Sequence, residues 1–258
     1  MGISYKVAPP ERQHGGVVLS FADMRNAFWI FLSSMVVFVG CAKNNGESLP
    51  MITPTLYYKP VIEKSKMKCE PADMRDLLDD KGKVLTSLCV KDYNNCLMQG
   101  SCFVIENNQT RAFNFTSKRD GINRFSERRE DRCPYGYGVR AICMDPFYSI
   151  AADPAFHKAG DVIFVPKIVG TELPDGSRHN GYFIVRDEGG AILGEGRFDF
   201  FTGFYGPYDK RNSFARLGLS DKKNKFGYQN MPEEIAQKVR EFRNYPNIPT
   251  DFYDKNDD

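Results

Sequence analysis

Three things are scarce in this chain of 258 residues, and each scarcity removes a class of function. The first is charge of one sign: 35 Lys and Arg against 33 Asp and Glu leave a formal net charge of +2. That balance gives no electrostatic footprint for nucleic acid or an acidic polymer, so no nucleic-acid partner is expected. The second is metal-ligand pairs. The only histidines are His14, His157 and His179, and no Cys-x-x-Cys occurs, so neither a zinc site nor any other metal or cofactor is expected. The third is long apolar runs. Ala27 to Gly40 falls short of the roughly 20 apolar residues that span a bilayer as a helix. No internal repeat is present. What remains is 41% hydrophobic and 13% aromatic, enough to bury a core in one or two domains.

The apolar run has the layout of an export signal. Met24-Arg25-Asn26 precede it, and it closes on Phe38-Val39-Gly40-Cys41. That ending resembles a bacterial lipobox, in which the cysteine is acylated and becomes the first mature residue. Cys41 is therefore the expected lipid attachment point of a signal segment 24–41. A plain secretory signal and an uncleaved anchor are the alternatives. Residues 1–23 fit no signal and read as a mis-assigned start or a cytoplasmic extension, with Met24 as the true start. Ala42 carries no acidic retention signal, so by analogy with lipoproteins the expected location is the outer membrane, facing the periplasm. Cysteine arithmetic agrees with export. Setting Cys41 aside leaves Cys69, Cys89, Cys96, Cys102, Cys133 and Cys143, up to three disulfides with fifteen pairings open.

Residues 42–54 read as a tether. Beyond them the signals are mostly short strands, at Val84–Val90, Cys102–Glu106, Arg111–Phe115, Val162–Pro166, Tyr182–Arg186 and Gly196–Phe201. Many short strands without alternating helices predict a mainly β chain, a barrel or sandwich. Met74, Leu77 and Leu78 fit a short helix. Pro232 opens a clearer one, with Ile235, Val239 and Phe242 on one stripe and a Glu234–Lys238 pair. The Arg-rich stretch 117–132 also holds acids and reads as a solvated loop. Residues 206–258 read as an extension with one helix and a disordered tail.

Three aspartates stand out. Asp153 lies in Ile150-Ala151-Ala152-Asp153-Pro154, Asp187 in Ile184-Val185-Arg186-Asp187-Glu188-Gly189-Gly190, and Asp199 in Phe198-Asp199-Phe200-Phe201. Each ends or interrupts an apolar, strand-like run, where a carboxylate is costly unless hydrogen-bonded, paired or protonated. Turn chemistry is the plain alternative for Asp153 before Pro154 and for Asp187 before Gly189-Gly190. His179, beside Asn180-Gly181, reads as a turn residue rather than a base.

These blocks, with Gly160-Asp161-Val162-Ile163-Phe164-Val165-Pro166 and Arg197-Phe198-Asp199-Phe200-Phe201-Thr202-Gly203, resemble the three-aspartate (3D) domain of the membrane-bound lytic transglycosylase A family. Tyr57-Tyr58-Lys59-Pro60 resembles that family's Tyr-Tyr-x-Pro segment, and Gln99-Gly100-Ser101 its Gln-Gly-Ser strand. The resemblance implies a six-stranded double-psi β-barrel over residues 55–205 with short flanking helices. It also implies cleavage of the MurNAc–GlcNAc β-1,4 bond of peptidoglycan glycan strands, with a 1,6-anhydro-MurNAc product. By position Asp199 corresponds to the catalytic general acid/base, with Asp187 and Asp153 in support. Tyr57 and Tyr58 become core residues or sugar platforms; Gln99, Gly100 and Ser101 line the substrate, and Gly189 and Gly190 let backbone approach the glycan. Larger relatives carry an inserted second domain after the Tyr-Tyr-x-Pro segment. Val61 to Leu97 looks too short for one, which implies an open groove or a wall-enzyme partner completing it. Glu188 also adds a charge where Thr or Val is common in the family. Two other functions fit the same residues: a non-catalytic polysaccharide-binding barrel, and an inverting hydrolase pairing Asp199 with Asp153 or Asp187.

Overall fold

The computed structural model describes residues 48–128 and 132–249. The stretch 1–23, the signal segment with Cys41, the first part of the tether and the tail lie outside the described residues. In chain order the strands begin with β1 (Met51–Tyr57), β2 (Val61–Glu63), β3 (Met74–Leu78) and β4 (Val84–Cys89). Helix α1 (Val90–Met98) leads to β5 (Ser101–Glu106), β6 (Gln109–Arg119) and β7 (Ile122–Arg128). Then come β8 (Ser149–Ala152), β9 (Val162–Phe164), β10 (Tyr182–Glu188) and β11 (Arg197–Phe201). Helix α2 (Ser213–Arg216), β12 (Phe226–Gly227), β13 (Gln229–Asn230) and α3 (Glu233–Phe242) complete the order.

The strands form two sheets. The first runs β12-β1-β11-β8-β10-β9-β13. Its two edges are consecutive in the chain: β12 pairs with β1, β13 pairs with β9, and only Tyr228 lies between them. The segment 226–230 thus joins one edge to the other and nearly closes the sheet into a barrel. The pairs β1–β11 and β8–β10 are parallel and the remaining pairs antiparallel. Alternation along the strands sends Ile150, Ala152, Phe183, Val185, Phe198 and Phe200 into one core, with Phe214 and Tyr228.

The second sheet runs β2-β5-β6-β7-β3-β4 and lies in sequence between β1 and β8. It has its own core of Ile62, Leu77, Leu88, Val104, Phe113 and Phe125 with Cys96 and Cys102. Two disulfides, Cys69–Cys89 and Cys96–Cys102, tie it; the third, Cys133–Cys143, lies beyond it in the chain. All three are local pairings.

Several sequence expectations change here. The range 55–205 is not one barrel, and the interval after Tyr57 does hold a second β unit. Strands Cys102–Glu106 and Arg111–Phe115 exist, but they pair with each other and with β2 rather than with the aspartate blocks. The insertion therefore runs on to Arg128, far past Leu97. So small a core stands because α1 covers it and disulfides staple it. The barrel also begins earlier than Thr55, since β1 starts at Met51 with Ile52 fully buried. Pro54 is tolerated because β12 pairs only with Met51 and Ile52 and needs no donor at Pro54. It ends later than residue 205, because 226–230 completes the ring. Met74–Leu78 is a strand whose alternation buries Leu77, and most of 117–128 belongs to the β6–β7 hairpin.

The helix after Pro232 forms as expected, rotated by about one residue: Ala236 is buried against Val162 and Ile184, while Phe242 is 71% exposed. Behind β10 the C-terminal segment is held by a buried charge cluster. Arg186, fully buried, donates to the carbonyls of Cys143 (2.9 Å), Asn247 (2.6 Å) and Arg243 (3.2 Å). Arg243 grips Asp145 with two hydrogen bonds of 2.8 and 2.7 Å and covers the Tyr148 ring, and Arg186 lies 3.8 Å from the same carboxylate.

Candidate active site

The strand register puts four residues in one row: Thr55 on β1, Asp199 on β11, Ala151 on β8 and Asp187 on β10. Their neighbours in sequence, Leu56, Phe198, Phe200, Ile150 and Ala152, belong to the barrel core, so this row faces the other way. For Asp187 that orientation depends on a bulge. Phe183 and Val185 point inward, so simple alternation would point Asp187 inward too. The register shifts between Val185 and Asp187, and the extra residue, Arg186, turns the carboxyl onto the row of Asp199.

The row forms part of the floor of a groove of about 600 Å³. Tyr57, Lys59, Ala151, Asp187 and Asp199 line it from the barrel, and the loop Glu188–Ile192 from one side. Leu97 to Ser101, Asn114 and Phe115 line it from the second sheet and α1. Its second wall thus comes from this chain, which corrects the expectation of a wall supplied by a partner or missing. Gly138 belongs to a third lining segment, Tyr137–Val139. A Cβ there would meet the Arg186 carbonyl at 2.2 Å, so only glycine lets this segment lie against β10 beside the site.

Both carboxyls are held above their ordinary value. Burial pushes Asp199 up from 3.8, opposed by the Thr55 hydroxyl, which donates at 2.7 Å, and by the charges of Arg197 and Lys222. Burial pushes Asp187 up to about 6, opposed first by the Lys59 ammonium and then by the Glu188 N–H, which donates at 2.9 Å. The Glu188 side chain adds to the rise and the Tyr57 hydroxyl counters it. Burial, not a neighbouring carboxylate, raises Asp199. Ala151 supplies the physical reason: it stands between the two acids and keeps them two strands apart.

Tyr57 lies on the same face as the row, its ring 5.1 Å from that of Phe201. Its buried hydroxyl sits beside Asp187 without a well-aligned hydrogen bond, and burial with the two nearby carboxyls pushes the phenol well above its ordinary value. Tyr58 is not part of the lining. Its hydroxyl bonds Asn95 (3.1 Å), its N–H donates to Gln99 Oε1 (3.0 Å), and its ring faces Gly206. Gln99, Gly100 and Ser101 do line the groove, yet two of them also fasten the crossing between the sheets: Gln99 holds Tyr58, and Ser101 Oγ receives the Lys59 ammonium at 2.5 Å.

Asp153 stands apart. Its oxygens accept from the backbone N–H of Ala155 (3.0 Å) and Gly194 (2.8 Å), which hold it below its ordinary value, and it does not line the groove. It fastens the loop that carries Gly189 and Gly190 rather than touching a ligand. In that loop Gly189 is required by packing, since a Cβ would meet Ile192 at 2.5 Å; Gly190 has open space before it. His179 is a core residue, stacked between Tyr148 and Phe183. Its Nδ1 accepts from the Gly181 N–H and its Nε2 donates to the Phe147 carbonyl, both at 2.8 Å, and burial drives its pKa down to about 3. It is neutral and structural.

Sequence reasoning missed Lys59, Thr55, Ala151 and Phe115. Lys59 sat in plain view as the variable position of Tyr-Tyr-x-Pro. Thr55 and Ala151 enter the site only through strand register, which no local signal announces.

Among solved structures, Escherichia coli MltA with bound chitohexaose is similar over 70% of this chain and 72% of its own, at 14% identity and a TM-score of 0.47. The lytic transglycosylase LtgG of Burkholderia pseudomallei is similar over 72% of each chain, at 16% identity and a TM-score of 0.42. A membrane-bound lytic murein transglycosylase from Agrobacterium tumefaciens is similar over 74% of this chain and 76% of its own, at 14% identity and a TM-score of 0.45. No curated protein matches the chain. Residues 148–211, which hold Asp153, Asp187 and Asp199, match the family model of the 3D domain, so the resemblance drawn from the aspartate blocks holds for that segment.

Proposed function

We propose that the protein is a lytic transglycosylase that cleaves the MurNAc–GlcNAc β-1,4 bond of peptidoglycan and leaves 1,6-anhydro-MurNAc ends. The observation that carries this reading is the pair of groove-facing carboxyls, Asp199 and Asp187, flanking Ala151 in a 3D domain. Asp199, raised by burial, protonates the leaving glycosidic oxygen. As a carboxylate it then takes the proton of the sugar's own 6-hydroxyl, which attacks the anomeric carbon and closes the anhydro ring. The nucleophile is already part of the substrate, so no activated water is needed and proximity favours closure. Asp187 as carboxylate stabilises the positive charge that develops on the ring. Tyr57, Phe115 and the Gly189–Gly190 backbone hold the glycan. The barrel is of the double-psi type in this reading. Export, with acylation at Cys41 and an outer-membrane, periplasm-facing location, fits the three local disulfides and the signal-like segment.

One observation favours a second reading. Asp187 and Asp199 stand on opposite sides of Ala151, two strands apart, and a pair of separated carboxyls is what an inverting hydrolase uses. Digestion of purified sacculi with the mature protein, followed by muropeptide mass analysis, tests both. Anhydro-muropeptides support the transglycosylase, reducing ends the hydrolase, and binding without release a glycan-binding barrel.

A further inference from the structure

Beside the row that holds Thr55 and Asp199 runs a second row, one pleat repeat away. Thr53 and Arg197 stand opposite each other in register, two residues before Thr55 and Asp199, so alternation puts them on the same outward face. Phe226 pairs with Ile52 at the edge of β1, which brings Lys225 next to Thr53, and the Lys225 Nζ donates to Thr53 Oγ1 at 2.5 Å. The second row thus reads Lys225, Thr53, Arg197, and it borders the groove beyond Asp199. Lys222, exposed in the same loop as Lys225, is close enough for its charge to act on Asp199.

These cations are not used up inside the protein. Arg197 spends only Nη1, on the carbonyls of Thr53 (3.1 Å) and Phe198 (2.9 Å). Its Nε–Nη2 edge has no partner among the described residues, and that is the edge with which Arg243 grips Asp145. Among the described residues no carboxylate lies within ion-pair distance of Arg197, Lys222 or Lys225. The acid of their own loop, Asp221, accepts from the Lys223 N–H at 2.9 Å instead. A guanidinium edge flanked by ammoniums is a donor set suited to a carboxylate, since two parallel N–H bonds match its two oxygens. A neutral sugar ring has no group that calls for three cations.

We infer that Arg197, Lys225 and Lys222 form a carboxylate subsite at the Asp199 end of the groove, which takes the acidic substituent on O3 of MurNAc. This specificity rests on the peptidoglycan reading of the groove. The substituent brings its carboxylate from one of two sources: the lactyl group itself where the stem peptide has been removed, or the stem peptide where it is present. Either way the subsite holds the sugar beside Asp199 by a group that neutral glycans lack, so it selects peptidoglycan over them.

The test is the affinity of the protein and its variants for three soluble glycans. These are a GlcNAc–MurNAc tetrasaccharide with its stem peptides, the same tetrasaccharide stripped of stems by an amidase, and chitohexaose. The unaltered protein is expected to bind a carboxylate-bearing strand several-fold more tightly than chitohexaose, and about 0.5 M salt removes most of that gain. Joint replacement, Lys222→Gln with Lys225→Gln, weakens the carboxylate-bearing strand roughly fivefold and leaves chitohexaose within about a factor of two. Arginine at both positions restores the affinity. Arg197→Lys, which keeps a cation for the two carbonyls and loses the fork, weakens the same strand. Both lysines are exposed, so the neutral pair is expected to fold; Lys222→Gln alone, which leaves the Thr53 contact in place, stands in if it does not. A loss confined to the stem-bearing strand identifies the stem carboxylates, and a loss that persists after stripping identifies the lactyl group; both support the subsite. An unchanged affinity, or an equal loss for chitohexaose, overturns it. Chitohexaose binding with no gain from a carboxylate overturns the subsite and leaves the glycan reading standing. Failure to bind any of the three counts against the peptidoglycan reading and takes the subsite with it.

Discussion

Asp187→Asn is expected to stabilise the folded protein, and only at neutral and alkaline pH. The carboxyl titrates at about 6 in the folded state against an ordinary value of 3.8. Below the lower value it is protonated in both states, so wild type and the amide variant behave alike. Above the upper value it is ionised in both, and the folded state carries the cost of an ionised carboxyl in a desolvated site. Stability from this group is therefore fully present in acid and is lost as pH rises through the window between the two values. The gap is about two pH units at about 1.4 kcal/mol each, a ceiling near 3 kcal/mol. Contact with groove solvent lowers the expectation to about 1–3 kcal/mol. For a folded region of this size that raises Tm by about 3–10 °C. The measurement is thermal unfolding of both proteins from about pH 4 to about pH 8. A gain that appears at pH 8 and vanishes by pH 4 supports the account. A gain equal at both ends, or a loss at pH 8, refutes it, because Asp187 would then be ionised without cost.

Two further predictions concern the frame. Asp145→Asn leaves the buried guanidiniums of Arg186 and Arg243 without their shared carboxylate, which should cost about 3–5 kcal/mol in urea unfolding and loosen the C-terminal segment toward proteolysis. A loss under about 1 kcal/mol would show that the two arginines do not depend on it. Replacing Cys96 and Cys102 together by Ser should destabilise the second sheet by about 2–5 kcal/mol. Hydrogen exchange should then rise in β5 and β6 while β8 and β10 stay protected, since no disulfide lies within residues 149–230.

Three barrel strands, β9, β10 and β11, were legible because they are short and apolar, and Asp199 because three phenylalanines flank it; β1, β8, β12 and β13 were not. Nor was the second sheet. Its strands carry the same pattern as the barrel's, and which strands pair is a long-range matter that local pattern does not encode. Leu77 reads equally as one turn of helix and as the buried position of an alternating strand, and the pairing of β3 with β4 decides it. Asp153 was legible as an aspartate before proline but not as a loop fastener, because its second partner, Gly194, lies 41 residues on. Asp187 was recognised, yet its facing came from a one-residue bulge that alternation alone would have reversed. Lys59 was quoted within its motif and given no role, since only the fold brings Ser101 to it and places it in the groove.

The central claim is that Asp199 supplies the proton that breaks the glycosidic bond. Digesting sacculi with wild type and with Asp199→Asn, after confirming equal folding by circular dichroism, measures it most directly. The account predicts anhydro-muropeptides from wild type and at least about a hundredfold slower release from the variant. Anhydro products from Asp199→Asn at the wild-type rate would contradict it.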